Sequence, residues 1–308
     1  MMKTLFLTLV IVFGFLSPLL AQGDELDSLT AIFEDLSEKE KPVWLAQNVL
    51  KHSGIFSRAA TLPLHKEGIR LAKSQGQEFE AALLARWAGI AAYYAGDLEA
   101  SLAYQQDSFS GFEALGDKKE MGRTLTELGL TYGRSGSPLK GAEVLKRAYK
   151  YCSEAGDSLY MSNALDNLGM RYQRLGYPDS AQDCYRKVLN IRLNIKDSIG
   201  LGYIYTNLAS VKYDFKDFDS MLYFLEKAKE VRLKVGDTRN VITNTSDIGE
   251  TYAALGEPKK AITYFERSLR MLDSSGIKYR AFRVHLYTQM SLAYQKAGYY
   301  DKAYQKLK

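Results

Sequence analysis

Residues Ser162–Leu189 read SNALDNLGMRYQRLGYPDSAQDCYRKVL. The stretch contains one complete two-helix unit, marked by Leu168-Gly169, Tyr172, Gly176, Pro178, Ala181 and Tyr185. Each mark has a physical reason. Gly176 supplies the left-handed conformation that closes a helix C-terminus. Pro178 suits the first turn of the next helix, where a missing N–H costs little. Gly169 and Ala181 are small enough to let two helix backbones approach, and the aromatic residues fill the space beside them.

The same marks recur outward from this stretch. The small residue of the first helix of each unit (helix A) falls at Gly89, Gly129, Gly169, Ala209, Gly249 and Ser291, in steps of 40, 40, 40, 40 and 42 residues. The residue between the helices falls at Gly96, Gly136, Gly176, Lys216, Gly256 and Gly298. The small residue of the second helix (helix B) falls at Ser101, Gly141, Ala181, Met221, Ala261 and Ala303. Turns between units repeat as Gly116-Asp117, Gly156-Asp157, Lys196-Asp197 and Gly236-Asp237, with the aspartate placed to cap the following helix. Tyr132, Tyr172, Tyr252 and Tyr294 supply the helix-A aromatic, but Lys212 takes its place in the unit of Ala209, Lys216 and Met221. Looser packing is expected there. Helices of this length cannot bury an apolar face alone, so neighbouring units must stack.

The pattern Leu-Gly-x-x-Tyr-x-x-x-Gly-x-x-x-x-Ala, seen at Leu168–Ala181 and again as Ile248-Gly249, Tyr252, Gly256 and Ala261, resembles the tetratricopeptide repeat. The resemblance covers residues 80–308, and 42–308 with a degraded first unit. It implies an all-α fold, a right-handed superhelical solenoid of antiparallel helix pairs. The family period is about 34 residues. The longer period here is similar to the repeats of kinesin light chains and bacterial Rap-type peptide-sensing proteins.

The expected organisation has four parts. Residues 1–21 have the layout of a secretory signal peptide: Lys3, an apolar run from Thr4 to Phe15, a break at Ser17-Pro18 and a cleavage point after Ala21. Residues 22–41 form an amphipathic helix and linker, residues 42–78 a degenerate first helix pair, and residues 79–308 an array of about six repeats. Lys308 follows Ala303 by a few residues, so the last helix is cut near its middle. The chain is therefore expected to be the N-terminal part of a longer protein, exported to the periplasm, with a membrane tether only through a later segment. Cys152 and Cys184 lie about 12 Å apart in helical depth, beyond the ~7 Å reach of a disulfide, and read as small buried residues.

The 308 residues carry a formal charge of +5, with Lys and Arg scattered rather than striped, so no nucleic-acid partner is expected. His52, His65 and His285 lack metal-ligand spacing. No nucleophile elbow or phosphate loop is present. No cofactor, metal or enzymatic activity is expected.

Helix A lines the inner face of such an array. Two residues before each small residue stand Trp87, Glu127, Asn167, Asn207, Asp247 and Gln289. Amides at this spacing can pair with the backbone of an extended peptide. The family resemblance implies that role for Asn167 and Asn207. Flanking positions add Asn163 and Tyr203, with Arg123, Arg134 and Arg174 as forked donors for carboxylates. The same polar residues could instead bond adjacent helices to one another. The partner is expected to be a protein or extended peptide. The likeness extends to exported repeats that precede a membrane helix and a signalling output, which makes a periplasmic sensory or interaction region the leading expectation and a stand-alone periplasmic scaffold the alternative.

Overall fold

The computed structural model describes residues 21–307, and the expected leader lies outside these but for Ala21. All regular structure among the described residues is helical. Helix α1 (Ala21–Asp35) is followed by α2 (Lys41–Lys51), the single turn α3 (Ser53–Phe56) and, after a 3-10 turn, α4 (Leu62–Ser74). The regular run is α5 (Glu78–Ala95), α6 (Leu98–Leu115), α7 (Lys118–Arg134), α8 (Pro138–Glu154), α9 (Ser158–Arg174), α10 (Pro178–Asn194), α11 (Ser198–Asp214), α12 (Phe218–Lys234), α13 (Thr238–Ala254), α14 (Pro258–Ser274), α15 (Arg280–Lys296) and α16 (Tyr300–Leu307). The chain divides into two compact units, one ending at Ser135 and one beginning at Gly136.

In the first unit α2 and α4 pack on α5, α5 on α6, and α6 on α7. The irregular entry is anchored by His65, which is fully buried and bonds through Nε2 to the Phe56 carbonyl at 2.9 Å. Burial pulls its pKa down to about 4, so the ring is neutral near pH 7. The interior of this unit is partly polar. Ser101 Oγ donates to the Gly89 carbonyl at 2.8 Å, and Thr131 Oγ1 lies 3.0 Å from Gln105 Oε1. Each of these buried groups has a partner, as burial requires.

In the second unit each helix from α8 to α16 packs against the next. The turns take the conformations that their residues favour. Asp157, Asp197, Asp217 and Asp237 each accept a backbone N–H three residues on. Pro178 and Pro258 begin α10 and α14. Gly156, Gly176, Gly236 and Gly256 have positive φ. Lys196 and Lys216 adopt the same conformation at φ 55° and 56°, at a cost of about 1 kcal/mol each relative to glycine.

The crossings of helix A on helix B set the packing. A Cβ on Gly169 would lie 2.5 Å from the ring of Tyr185, and one on Gly249 would lie 2.8 Å from the ring of Phe265. Tyr185 and Phe265 are fully buried, each contributing about 1.5–3 kcal/mol through burial. Tyr185 centres a cluster with Leu145, Leu165, Leu168, Val188, Ile204 and Leu208. Phe265 centres another with Ile242, Leu272, Phe282, Leu286 and Met290. Ala209 of α11, Leu225 of α12 and Ile248 of α13 form a further buried cluster, with Met221, Leu222, Phe224, Tyr252 and Tyr264 packed against it. Cys152 and Cys184 are buried and free.

Candidate functional site

The polar row on the A helices falls in both units. Arg123 and Arg134 belong to the first, on α7. There Arg86 pairs with Glu120 at 3.1 Å, and Arg123 pairs with the same carboxylate at 2.8 Å. Arg134 donates to the Tyr93 carbonyl at 2.7 Å and lies over the Tyr93 ring. Glu127, on the same helix, is pushed up from the usual carboxylate range by burial, which the Arg86 charge only partly offsets.

The second unit holds Asn163, Asn167, Arg174, Tyr203, Asn207 and Asp247. Much of this row is spent joining one helix to the next. Asn207 Nδ2 donates to Asp166 Oδ1 at 2.7 Å, linking α11 to α9. Gln173 Nε2 on α9 donates to Ser210 at 2.9 Å and Asp214 at 2.7 Å on α11. Asn167 Nδ2 donates to the Asn163 carbonyl of its own helix at 3.0 Å. Asn163 Oδ1 accepts from Arg192 of α10, which also pairs with Asp197. Arg174 is exposed on the last turn of α9. Tyr203 is half-exposed, with the Arg232 guanidinium 5.4 Å from its ring centre. The structure therefore brings Asn163, Asn167 and Asn207 together on α9 and α11, each already engaged on at least one side. Asp166 beside them is raised by burial, against the pull of the Asn207 bond and the Arg192 charge.

Arg192 and Arg232 were not read from the sequence. They stand on B helices, in one register with Phe112, Cys152 and Leu272. Two arginines at an otherwise apolar buried position were the available signal. Arg232 bonds Asn244 Oδ1 on α13, and Asn244 reaches Thr206 on α11 at 3.5 Å.

Asp247 differs from the rest of the row. It lines an open pocket of about 440 Å³ with Thr206, Ser210, Tyr213, Glu250, Thr251 and Gln289, over a floor that includes Ala209, Met221 and Leu225. This size is within the range of small-ligand sites. Among the described residues no hydrogen-bond donor meets the Asp247 carboxylate. Burial, then repulsion from Glu250, raises its pKa to about 7, while Arg232 and His285 pull the other way. Glu250 is held by His285 Nε2 at 2.7 Å. The pocket is walled by α11, α12, α13 and α15; the looser packing expected between α11 and α12 is not seen, since these helices pack against each other as their neighbours do.

Residues 120–194 and 201–274 match the sequence model of the tetratricopeptide repeat family. This stretch is a tetratricopeptide-repeat array. No curated protein sequence matches the chain. Among solved structures, BtubC (BKLC) from P. vanneervenii superposes with a TM-score of 0.64 at 20% identity, over 71% of this chain and 92% of that one. The apo form of RapI superposes at 0.61 and 14% identity, over 88% and 95%. A signal transduction ATPase with numerous domains and a tetratricopeptide repeat sensor, from Pyrococcus horikoshii, superposes at 0.66 and 16%, over 87% of this chain and 41% of that one. At these identities the likeness shows the fold alone: an all-α tetratricopeptide-repeat array. Among the described residues no His, Cys, Asp and Glu cluster could hold a metal, and no helix is long and apolar enough to cross a membrane.

The pKa of Asp247 makes stability depend on pH. Its folded value, about 7, lies above the unfolded value near 3.8. The folded state then binds the extra proton between these values, and stability falls as pH rises through that window. Asp247→Asn removes this cost. The substitution is expected to stabilise the chain at pH 8 by on the order of 2–4 kcal/mol relative to its effect at pH 3.5, read from denaturant midpoints at both pH values. An effect that does not change with pH would contradict the assignment.

Proposed function

We propose that this chain binds a protein segment in extended form across the A-helix face of its second unit, as the exported sensory or interaction region of a larger signalling protein. The observation that carries the binding reading is the row Asn163, Asn167, Asn207 and Asp247 on successive A helices, ending at an open pocket. Asn167 and Asn207 each anchor one amide group internally and present the rest of the side chain on a half-buried face. Tyr203 and Tyr213 stand exposed beside them as contact anchors.

The signalling reading draws on the Pyrococcus horikoshii protein, whose repeats are described as a sensor within a longer chain. Segment binding would bias the packing of adjacent A helices, whose cross-links at Asn207–Asp166 and Gln173–Ser210 are few and directional. The export reading rests on the apolar N-terminal run and Ala21-Gln22. Its check is the N-terminal residue of the mature protein, expected at Gln22; a chain that retains Met1 in the exported fraction would contradict it.

For binding, peptides of ten residues selected from a random displayed library against the full chain supply the probe. Fluorescence anisotropy is expected to show at least about a tenfold loss of affinity in Asn167→Ala combined with Asn207→Ala, the loss of one or two good hydrogen bonds. Helix content by circular dichroism should stay unchanged. Affinity within twofold of the wild type would remove this face from the account.

A further inference from the structure

The pocket beside Asp247 is lined in part by Ala209, Met221 and Leu225, where the α11–α12 unit departs from the units on either side. At α9–α10 the ring of Tyr185 presses on Gly169, and at α13–α14 the ring of Phe265 presses on Gly249. In the α11–α12 unit the corresponding residues are Leu225 and Ala209. The helix-A aromatic is also absent. Tyr172 and Tyr252 correspond to Lys212, whose ammonium is drawn to Asp217 at 3.3 Å and lies 5.7 Å from the Phe215 ring centre. Lys212 is not part of the pocket wall. Neither of the two rings found at these positions in α9–α10 and α13–α14 is present here.

The lining defines the ligand. Asp247 and Glu250 stand three residues apart, on one face of α13. Among the described residues neither the Asp247 carboxylate nor the Gln289 side chain has a hydrogen-bond partner. Glu250 is bonded through Oε1 to His285. The other charged neighbour, Arg232 of α12, is occupied by Asn244 and by the face of Tyr203. The charged end of the pocket is thus acceptor-rich, with no internal cation committed to Asp247. Ala209, Met221, Leu225 and Ala253 give it an apolar side.

We propose that this pocket takes a primary ammonium group on an aliphatic stem, with Asp247 as its counter-ion and Glu250 and Gln289 as further acceptors. An ammonium carries three donors on a compact point charge, which suits three acceptors of different type. A guanidinium would need a planar pair of acceptors for its fork, and the carboxylate of Glu250 is already shared with His285. The stem lies along Met221 and Leu225, as lysine stems lie along apolar surface. The ammonium comes either from a lysine of a segment on the A-helix face, a source that rests on the function proposed above, or from a free alkylamine.

Calorimetric titration of the full chain separates these sources. The probes are the blocked tripeptide Gly-Lys-Gly, its norleucine counterpart and n-pentylamine, each at pH 6 and pH 8. The lysine tripeptide is expected to bind about tenfold more tightly at pH 8 than at pH 6, as the fraction of ionised Asp247 rises. Binding by n-pentylamine as well assigns the site to free amines; binding by the tripeptide alone assigns it to a lysine side chain. Asp247→Asn should lose at least tenfold, and Leu225→Phe, which restores the ring found in neighbouring units, should abolish binding while the helical spectrum is kept. The proposal is overturned if neither amine binds saturably at pH 8, if norleucine binds as well as lysine, or if Asp247→Asn binds as the wild type does. Short probes do not require the extended A-helix face, so peptide binding lost in the Asn167 and Asn207 variants leaves these titrations unaffected.

Discussion

The ring of Tyr185 against the bare backbone of Gly169 is the contact on which the second unit depends. With no Cβ at position 169, the ring lies within 2.5 Å of where one would be, and helices α9 and α10 close to that separation. Phe265 repeats the contact against Gly249 in α13–α14. Protein interiors are packed densely enough that such a fit has little slack. The buried clusters of the unit are arranged around these two rings, and the left-handed turns at Gly176 and Gly256 return the chain so that each ring meets its glycine.

Between these two crossings lies one that is built differently. Ala209 replaces the glycine, Leu225 the ring, Met221 the small residue of helix B and Lys212 the helix-A aromatic. Ala209 and Leu225 join Ile248 in a buried cluster there, and Ala209, Met221 and Leu225 also line the open pocket. A carboxylate placed at the edge of that pocket loses solvation without gaining a donor. Burial pushes Asp247 up to about 7; it also raises Asp166, where the amide of Asn207 and the Arg192 charge oppose the shift. Burial raises Glu127, on another A helix, as well; what sets Asp247 apart is that it borders the open pocket.

The repeat length, the helix boundaries, the aspartate caps and the positions of positive φ were legible in the sequence, because each depends on local backbone chemistry. The departure of Lys212 and Met221 from the register was also visible, but the looser packing expected from it is not what α11 and α12 show, since they pack against each other as their neighbours do. The engagement of the polar row was not legible. Asn163 accepts from Arg192 and Asn207 donates to Asp166, and these pairings depend on which side chains face each other across neighbouring helices. Register alone places residues on a face; it does not show whether their hydrogen bonds are already taken. Arg192 and Arg232 stood at an apolar register position, and only the structure showed what their charges meet.

The Gly169–Tyr185 contact sets how α9 crosses α10. A double-mutant cycle on the full chain with Gly169→Ala and Tyr185→Leu tests this most directly. The cost of Gly169→Ala should be about 2 kcal/mol with Tyr185 in place, from overpacking, and should fall below about 0.5 kcal/mol in the Tyr185→Leu background, a coupling well above that of independent sites. An equal cost in both backgrounds would show that the ring does not set the crossing.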